Sequence, residues 1–71
     1  MEMKTTAFGE RLRHERLSRE WSVAELARRA KVLSAEAIRQ MESGLIVDPK
    51  MSSAKALAKA LDIALEHLCL D

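Results

Sequence analysis

Two capping serines constrain the fold of this chain more than any other feature of its sequence. Ser22 is followed three residues later by Glu25, which forms a capping box in which each side chain satisfies a free amide at a helix start. Ser34 can cap a further helix, and Gly44 is suited to end it. Because only residues 31–34 separate the two helices, the sequence predicts a helical pair with a tight corner over about residues 22–43.

Hydrophobic periodicity predicts a helix before this pair. Phe8 and Leu12 lie one turn apart in a first helix over residues 6–18, and Leu17 is expected to continue an apolar face that Glu15 interrupts.

Two further helices are expected after a loop that contains Pro49. Ser52 or Ser53 is expected to cap the fourth helix. The apolar positions at helical spacing are Met51, Ala54, Leu57, Ala58 and Leu61 in the fourth helix, with Ile63, Leu65 and Leu68 leading into a short fifth.

Composition agrees with an all-α fold, because Ala and Leu dominate and there are only two glycines and one proline. The 71 residues allow one domain, residues 1–71, without a separate ligand-sensing domain. Cys69 is the only cysteine, so no disulfide forms within the chain, and neither a membrane span nor a signal peptide is recognisable. We therefore expect a cytoplasmic protein, with Trp21 and the methionines as core fillers.

The net charge of +1 is weak support for any polyanionic partner, but the charge is unevenly distributed. Residues 1–31 carry eight basic and five acidic side chains, whereas residues 32–71 carry four and six. The basic side chains of the first part are either a nucleic-acid contact or an ordinary solvated helix face. They include Arg11, Arg13, Arg16, Arg19, Arg28, Arg29 and Lys31.

Three segments resemble the Cro and phage-repressor (XRE-type) helix-turn-helix regulators in order and spacing. They are WSVAELARRA at residues 21–30, IRQMESG at residues 38–44, and Pro49 followed by LAKAL at residues 57–61. Ala27 and Ile38 fit the small residue and the β-branched residue that face each other in that motif. The resemblance covers residues 8–68 and implies a five-helix, lambda-repressor-like domain.

The corner departs from the family pattern in two ways. Lys31 stands where the family usually has glycine, and Leu33 is an additional residue between the two helices. Our hypothesis is that the additional residue lets Lys31 remain helical, so that no positive φ is needed there.

The resemblance implies that the third helix enters the major groove of DNA and that side chains at its start read base edges. The expected base-reading residues are Ser34, Ala35, Glu36, Ala37, Arg39 and Gln40, although the alanines and Glu36 could serve the helix alone. Phosphate contacts are expected from Ser22, Val23, Arg28, Lys31, Ser43 and Lys50.

Near-neutral charge predicts weak binding by one copy, so we expect a homodimer on a palindromic operator. The apolar loop after Gly44 and the end of the chain are candidates for the dimer interface, unless all of them serve the core. These candidates are Leu45, Ile46, Val47, Leu65, Leu68, Cys69 and Leu70.

Other functions have less support from the sequence. The only plausible nucleophiles or metal ligands are His14, His67 and Cys69, and the last two are spaced so that they face different ways on a helix. No enzyme activity, cofactor or metal is therefore expected. A protein-interaction module, or an antitoxin with a second protein partner, remains an alternative to a dimeric repressor of a phage, mobile element or restriction system.

Overall fold

The computed structural model describes residues 7–46 and 49–69, and these form five helices without a strand. The all-α prediction is confirmed. The helices are α1 (Ala7–Ser18), α2 (Val23–Ala30), α3 (Ala35–Ser43), α4 (Met51–Leu61) and α5 (Leu65–Cys69). The predicted start of α1 at Thr6 lies outside the described residues. No helix in the described ranges is long and apolar enough to cross a membrane.

One apolar cluster joins all five helices. Phe8 of α1 and Met41 of α3 are buried in it, and Trp21 and Leu33 pack against its edge. Its largest fully buried side chains are Leu12, Leu26, Ile38, Leu57, Leu61 and Leu68. This core fixes how α2 and α3 lie relative to α1 and α4.

The capping serines start their helices as predicted. The hydroxyl oxygen of Ser22 accepts from the amide of Glu25 at 3.0 Å, and that of Ser34 accepts from the amide of Ala37 at 3.1 Å. Gly44 ends α3 with a φ of 89°. The carboxylate of Glu25, however, is bonded to arginines further along α2, so the described contacts contain only one half of the capping box.

The expectation for the inner face of α1 was wrong at Leu17. Its side chain is 49% exposed, and Arg16 is buried instead. Periodicity predicts an apolar residue on this face because it cannot show that Glu42, on α3, accepts the hydrogen bonds of a buried Arg16.

The start of α4 also differs from the prediction. Lys50 is the N-cap residue, without a side-chain hydrogen bond, and Ser52 and Ser53 lie inside the first turn. Met51 is therefore at the exposed start of the helix rather than in the core. Pro49, one residue earlier, already stops the helix from extending backward.

The hypothesis that Lys31 stays helical was wrong. Lys31 has a φ of 72° and a ψ of −38°, and its amide donates to the carbonyl oxygen of Ala27 at 2.9 Å. The next amide, that of Val32, donates to the carbonyl oxygen of Ala30 at 2.8 Å, which closes a γ-turn. The additional residue thus lengthens the corner and brings Leu33 against the core, but α2 still ends through a positive φ.

Candidate nucleic-acid interface

A buried ion pair connects α1 to α3. Arg16 donates from Nε to Glu42 Oε2 at 2.7 Å and from Nη2 to Glu42 Oε1 at 2.9 Å. The two side chains are only 10% and 9% exposed, and Glu42 raises the pKa of Arg16 through the hydrogen bond. Arg16 also donates from Nη1 to the carbonyl oxygen of Trp21 at 2.8 Å, just before α2. One guanidinium therefore holds the relative positions of α1, α3 and the start of α2.

The packing of α2 on α3 agrees with the roles expected for Ala27 and Ile38. Ile38 is completely buried, and Ala27 is half-buried against the same apolar cluster. Because alanine is small, α3 can lie close to α2 at this level. The outer side of α3 is thereby turned away from the core.

The expected base-reading residues lie on α3 and at its N-cap, with different degrees of exposure. Glu36 and Arg39 are exposed, and Gln40 is half-buried beside them. Ser34 is exposed, but its hydroxyl already accepts the capping hydrogen bond. Ala37 packs against the core, which leaves only part of its methyl surface for a partner.

Glu36 is bonded to the two long polar side chains of this face. Its Oε1 accepts from Arg39 Nη1 at 3.0 Å, and its Oε2 accepts from Gln40 Nε2 at 3.3 Å. These residues are spaced three and four apart, so one carboxylate spans a single helical turn.

A shallow cleft runs beside the end of α3. It is lined by Arg13 of α1, by Leu45 just after α3, and on α3 itself by Glu36, Arg39, Gln40, Glu42 and Ser43. Sequence reasoning placed Arg13 among general basic charge and not at this site. Its position one turn before Arg16, which faces α3, is the signal that could have found it. Arg13 is exposed and makes no ion pair with any described residue.

The expected phosphate contacts are spread over α2, the corner after it, the end of α3 and the residue before α4. Ser22 is exposed at the start of α2, whereas the side chain of Val23 packs on the core, so Val23 can offer only its amide. Lys31 and Lys50 are exposed at the corner and before α4. The hydroxyl of Ser43 donates to the carbonyl oxygen of Gln40 at 3.1 Å and is thus already used within α3.

Arg28 is less available than its exposure suggests. Its Nη2 donates to Glu25 Oε2 at 2.5 Å, and Arg29 Nε donates to the same oxygen at 2.6 Å. The hydrogen bond from Arg28, and to a smaller extent that from Arg29, holds the pKa of Glu25 below its usual range. The guanidinium carbon of Arg29 also lies 4.1 Å from the ring centre of Trp21.

The candidates for the dimer interface divide into three groups. Leu45 is 71% exposed, whereas Ile46 and Leu65 are half-buried and pack against the core. Leu68 is a correction: it is completely buried in the core of its own chain, so its side chain has no surface for a partner. Val47, the side chain of Cys69, and Leu70 lie outside the described residues.

Two of the possible metal ligands, His14 and His67, lie near each other on α1 and α5. His67 Nε2 lies 2.7 Å from Glu15 Oε2, and His14 lines the same surface depression. In the part of the chain that the structure describes, no three His, Cys, Asp or Glu side chains are grouped as metal ligands would be.

Comparison with known proteins identifies the domain type. The family model of the helix-turn-helix domain matches residues 7–68, which is nearly the whole chain. Neither the curated proteins nor the solved structures gave a significant match. The match includes α2, the corner and α3, together with the three helices that support them. The chain therefore belongs to the helix-turn-helix domain family.

Proposed function

We propose that this protein is a sequence-specific DNA-binding transcription regulator of the Cro and phage-repressor type, which inserts α3 into the major groove. The observation that carries the proposal is the exposed polar face of α3, on a helix that the Arg16–Glu42 pair fixes to α1. A helix held in this way can present side chains to base edges without first being ordered.

The side chains of α3 suit a short recognition sequence. Gln40 can pair with adenine, and Arg39 can pair with guanine. Ala35 and the exposed part of Ala37 can contact a thymine methyl group. Each good pair contributes roughly 1–3 kcal/mol of discrimination, so a few such contacts account for a specific site.

Phosphate anchoring comes from the first amides of α2 and from exposed cations. Arg13, Lys31 and Lys50 are exposed, and Arg28 contributes when its bond to Glu25 is released. The chain carries a net charge of only +1, which supports binding as two copies on a palindrome. Leu45, which is exposed beside α3, is the described residue best suited to contact a second copy.

Repression follows in this proposal from occupation of a promoter, in the cytoplasm, by a regulator of a phage, mobile element or restriction system. The support is the resemblance of residues 21–30 and 38–44 to such regulators.

The alternative is a protein-interaction module or an antitoxin whose DNA binding depends on a partner. Val32 and Leu45 favour this alternative, because exposed large apolar side chains can mark a surface that binds another protein. A partner that co-purifies with the chain, combined with negligible DNA binding by the chain alone, would support this alternative.

The test is binding to DNA as a function of salt. A labelled random duplex is titrated between about 50 and 200 mM salt, and a DNA binder should lose affinity steeply over this range. Selection from a random pool should then enrich two half-sites with a fixed spacing, which also reports the geometry of the dimer. Binding that does not depend on salt, together with a pool that remains random, would contradict the proposal.

A further inference from the structure

The strongest unexplained feature of the surface is the acid on the face of α3. Glu36 and Arg39 have side chains 67% and 58% exposed, so their ion pair lies on the surface rather than in the core. An acid here repels DNA phosphates, which is unexpected for a helix that enters a groove. The same carboxylate also accepts from Gln40, and it therefore contacts both of the long side chains proposed to read bases.

We propose that Glu36 is a specificity-determining residue that acts through Arg39 and Gln40. Its negative charge offsets the charge of Arg39 and so weakens the attraction of Arg39 to DNA phosphates. The remaining N–H groups of Arg39 stay free to donate to base edges. This inference rests on the proposed function, since it concerns how α3 distinguishes its operator from other DNA.

The physical basis is that the two kinds of DNA contact depend on different properties. Non-specific affinity comes from net positive charge and the release of counterions. Arg39 and Glu36 together carry no net charge, so the pair adds little to that affinity. Base reading depends instead on the positions of donors: a guanidinium has five N–H groups, Glu36 accepts from one, and guanine needs two.

Gln40 is affected in a different way. Its Nε2 has two hydrogens, and Glu36 accepts one of them, while its Oε1 can still accept. Adenine recognition needs one donor and one acceptor from the amide, which remain available. The hydrogen bond to Glu36 therefore restricts the rotation of the Gln40 amide without consuming the atoms that would contact adenine.

The chain contains a matched control for the charge effect. Glu25 of α2 pairs with Arg28 and Arg29 in the same intrahelical manner, but none of these three belongs to the base-reading set. Glu25→Gln and Glu36→Gln each remove one negative charge, so both raise the net charge of the protein by the same amount. The two variants should therefore differ in the ratio of their affinities for specific and non-specific DNA, and not in net charge.

The experiment compares the DNA selected from a random pool with a scrambled duplex of the same composition, at 0.1 M salt, for the full chain. Glu36→Gln should bind the scrambled duplex about fivefold to tenfold more tightly, with a salt slope steeper by about 0.9, because one phosphate contact is gained. Its affinity for the selected duplex should rise much less, so the ratio of the two affinities falls. Glu25→Gln should tighten binding to both duplexes equally and leave that ratio unchanged.

A double-mutant cycle tests whether Glu36 acts through its partner. In an Arg39→Ala background, the additional Glu36→Gln change should have a clearly smaller effect on the ratio. An equal effect in both backgrounds would mean simple repulsion of phosphates and would overturn the inference. Loss of affinity for the selected duplex alone in Glu36→Gln would also overturn it, because Glu36 would then read a base directly.

Different results would contradict the proposed function and the role of Glu36. If the unmodified chain shows no salt-dependent DNA binding, the proposed function fails and no ratio exists to compare. If it binds and selects a sequence but the two glutamine variants behave alike, only the role of Glu36 is wrong. Thermal unfolding of each variant shows whether the fold is retained.

Discussion

At the scale of single residues, Arg16 shows why the basic side chains of this sequence could not be assigned by type. It belongs to the basic side chains of residues 1–31, which are candidates for DNA contact, yet it is buried and bonded to Glu42. The partner is 26 positions away in the sequence, and no local pattern connects the two. Arg19 is similar, because its Nη2 donates to the carbonyl oxygen of Leu61 at 2.7 Å.

We expect Glu42→Gln to lower the free energy of unfolding by roughly 2–4 kcal/mol, because the charge of Arg16 would stay in a site that is mostly closed to water. Urea denaturation followed by circular dichroism measures this change. Glu66→Gln, at an exposed position of α5, is the control for the loss of one acid. Equal and small effects of the two changes would contradict a structural role for the pair.

Lys31 is the second residue whose conformation matters more than its type. A side chain with a Cβ is strained at a φ of 72° in a γ-turn. Lys31→Gly should therefore raise the free energy of unfolding by about 1 kcal/mol, whereas Lys31→Ala, which keeps the Cβ, should not. The midpoints of urea denaturation of the two variants separate backbone strain from the loss of the charge. Destabilisation by glycine would show that the turn is not strained.

At the scale of helices, the sequence predicts features that depend on residues within one helical turn, but it does not predict contacts between helices. The starts of α2 and α3 followed from their serines because a capping serine acts on an amide within its own first turn. The start of α4 was misplaced because two serines follow Pro49, and the sequence alone does not show which residue precedes the helix. The face of α3 was predicted from resemblance and periodicity. The bonds of Glu36 also join residues three and four positions apart, which is a local spacing, whereas the place of Arg13 beside this face required the packed helices.

The cleft between α1 and α3 separates two kinds of contact that mutation can distinguish. Arg13→Ala should weaken binding to all DNA sequences about equally and reduce the salt slope by about 0.9, as expected for a phosphate contact. Gln40→Ala should instead relax the preference at one or two base pairs, at a cost of roughly 1–3 kcal/mol for the selected site. Repeating the selection with each variant measures both effects. A relaxed preference in Arg13→Ala would show that it reads a base.

At the scale of the whole molecule, the polar contacts of Glu15 connect α1 to α5, near the two ends of the described residues. Glu15 of α1 accepts from Arg19 Nη1 at 2.8 Å, and its other oxygen lies 2.7 Å from His67 Nε2 on α5. The hydrogen bond from Arg19, followed by that from His67, lowers the pKa of Glu15. This contact brings α5 to α1 beside the core.

The lowered pKa of Glu15 predicts the direction of acid sensitivity. A carboxyl group whose pKa is lower in the folded state stabilises the fold above its unfolded pKa of about 4.3, and this stabilisation is lost as the pH falls through the folded value. Glu15→Gln should therefore be less stable than the unmodified chain at neutral pH, and the difference should shrink between about pH 5 and pH 3. Thermal unfolding across this range checks it, with Glu66→Gln as the control. A difference that is constant with pH would contradict the assignment.

The surroundings of Trp21 have a practical consequence. It is the only tryptophan, and its indole lies within 4.1 Å and 5.8 Å of the guanidinium carbons of Arg29 and Arg19. Unfolding removes both cations from the ring and exposes it to water, which alters its ultraviolet emission. The chain thus contains its own fluorophore at the junction of α1 and α2, and optical titrations can follow that junction without a dye.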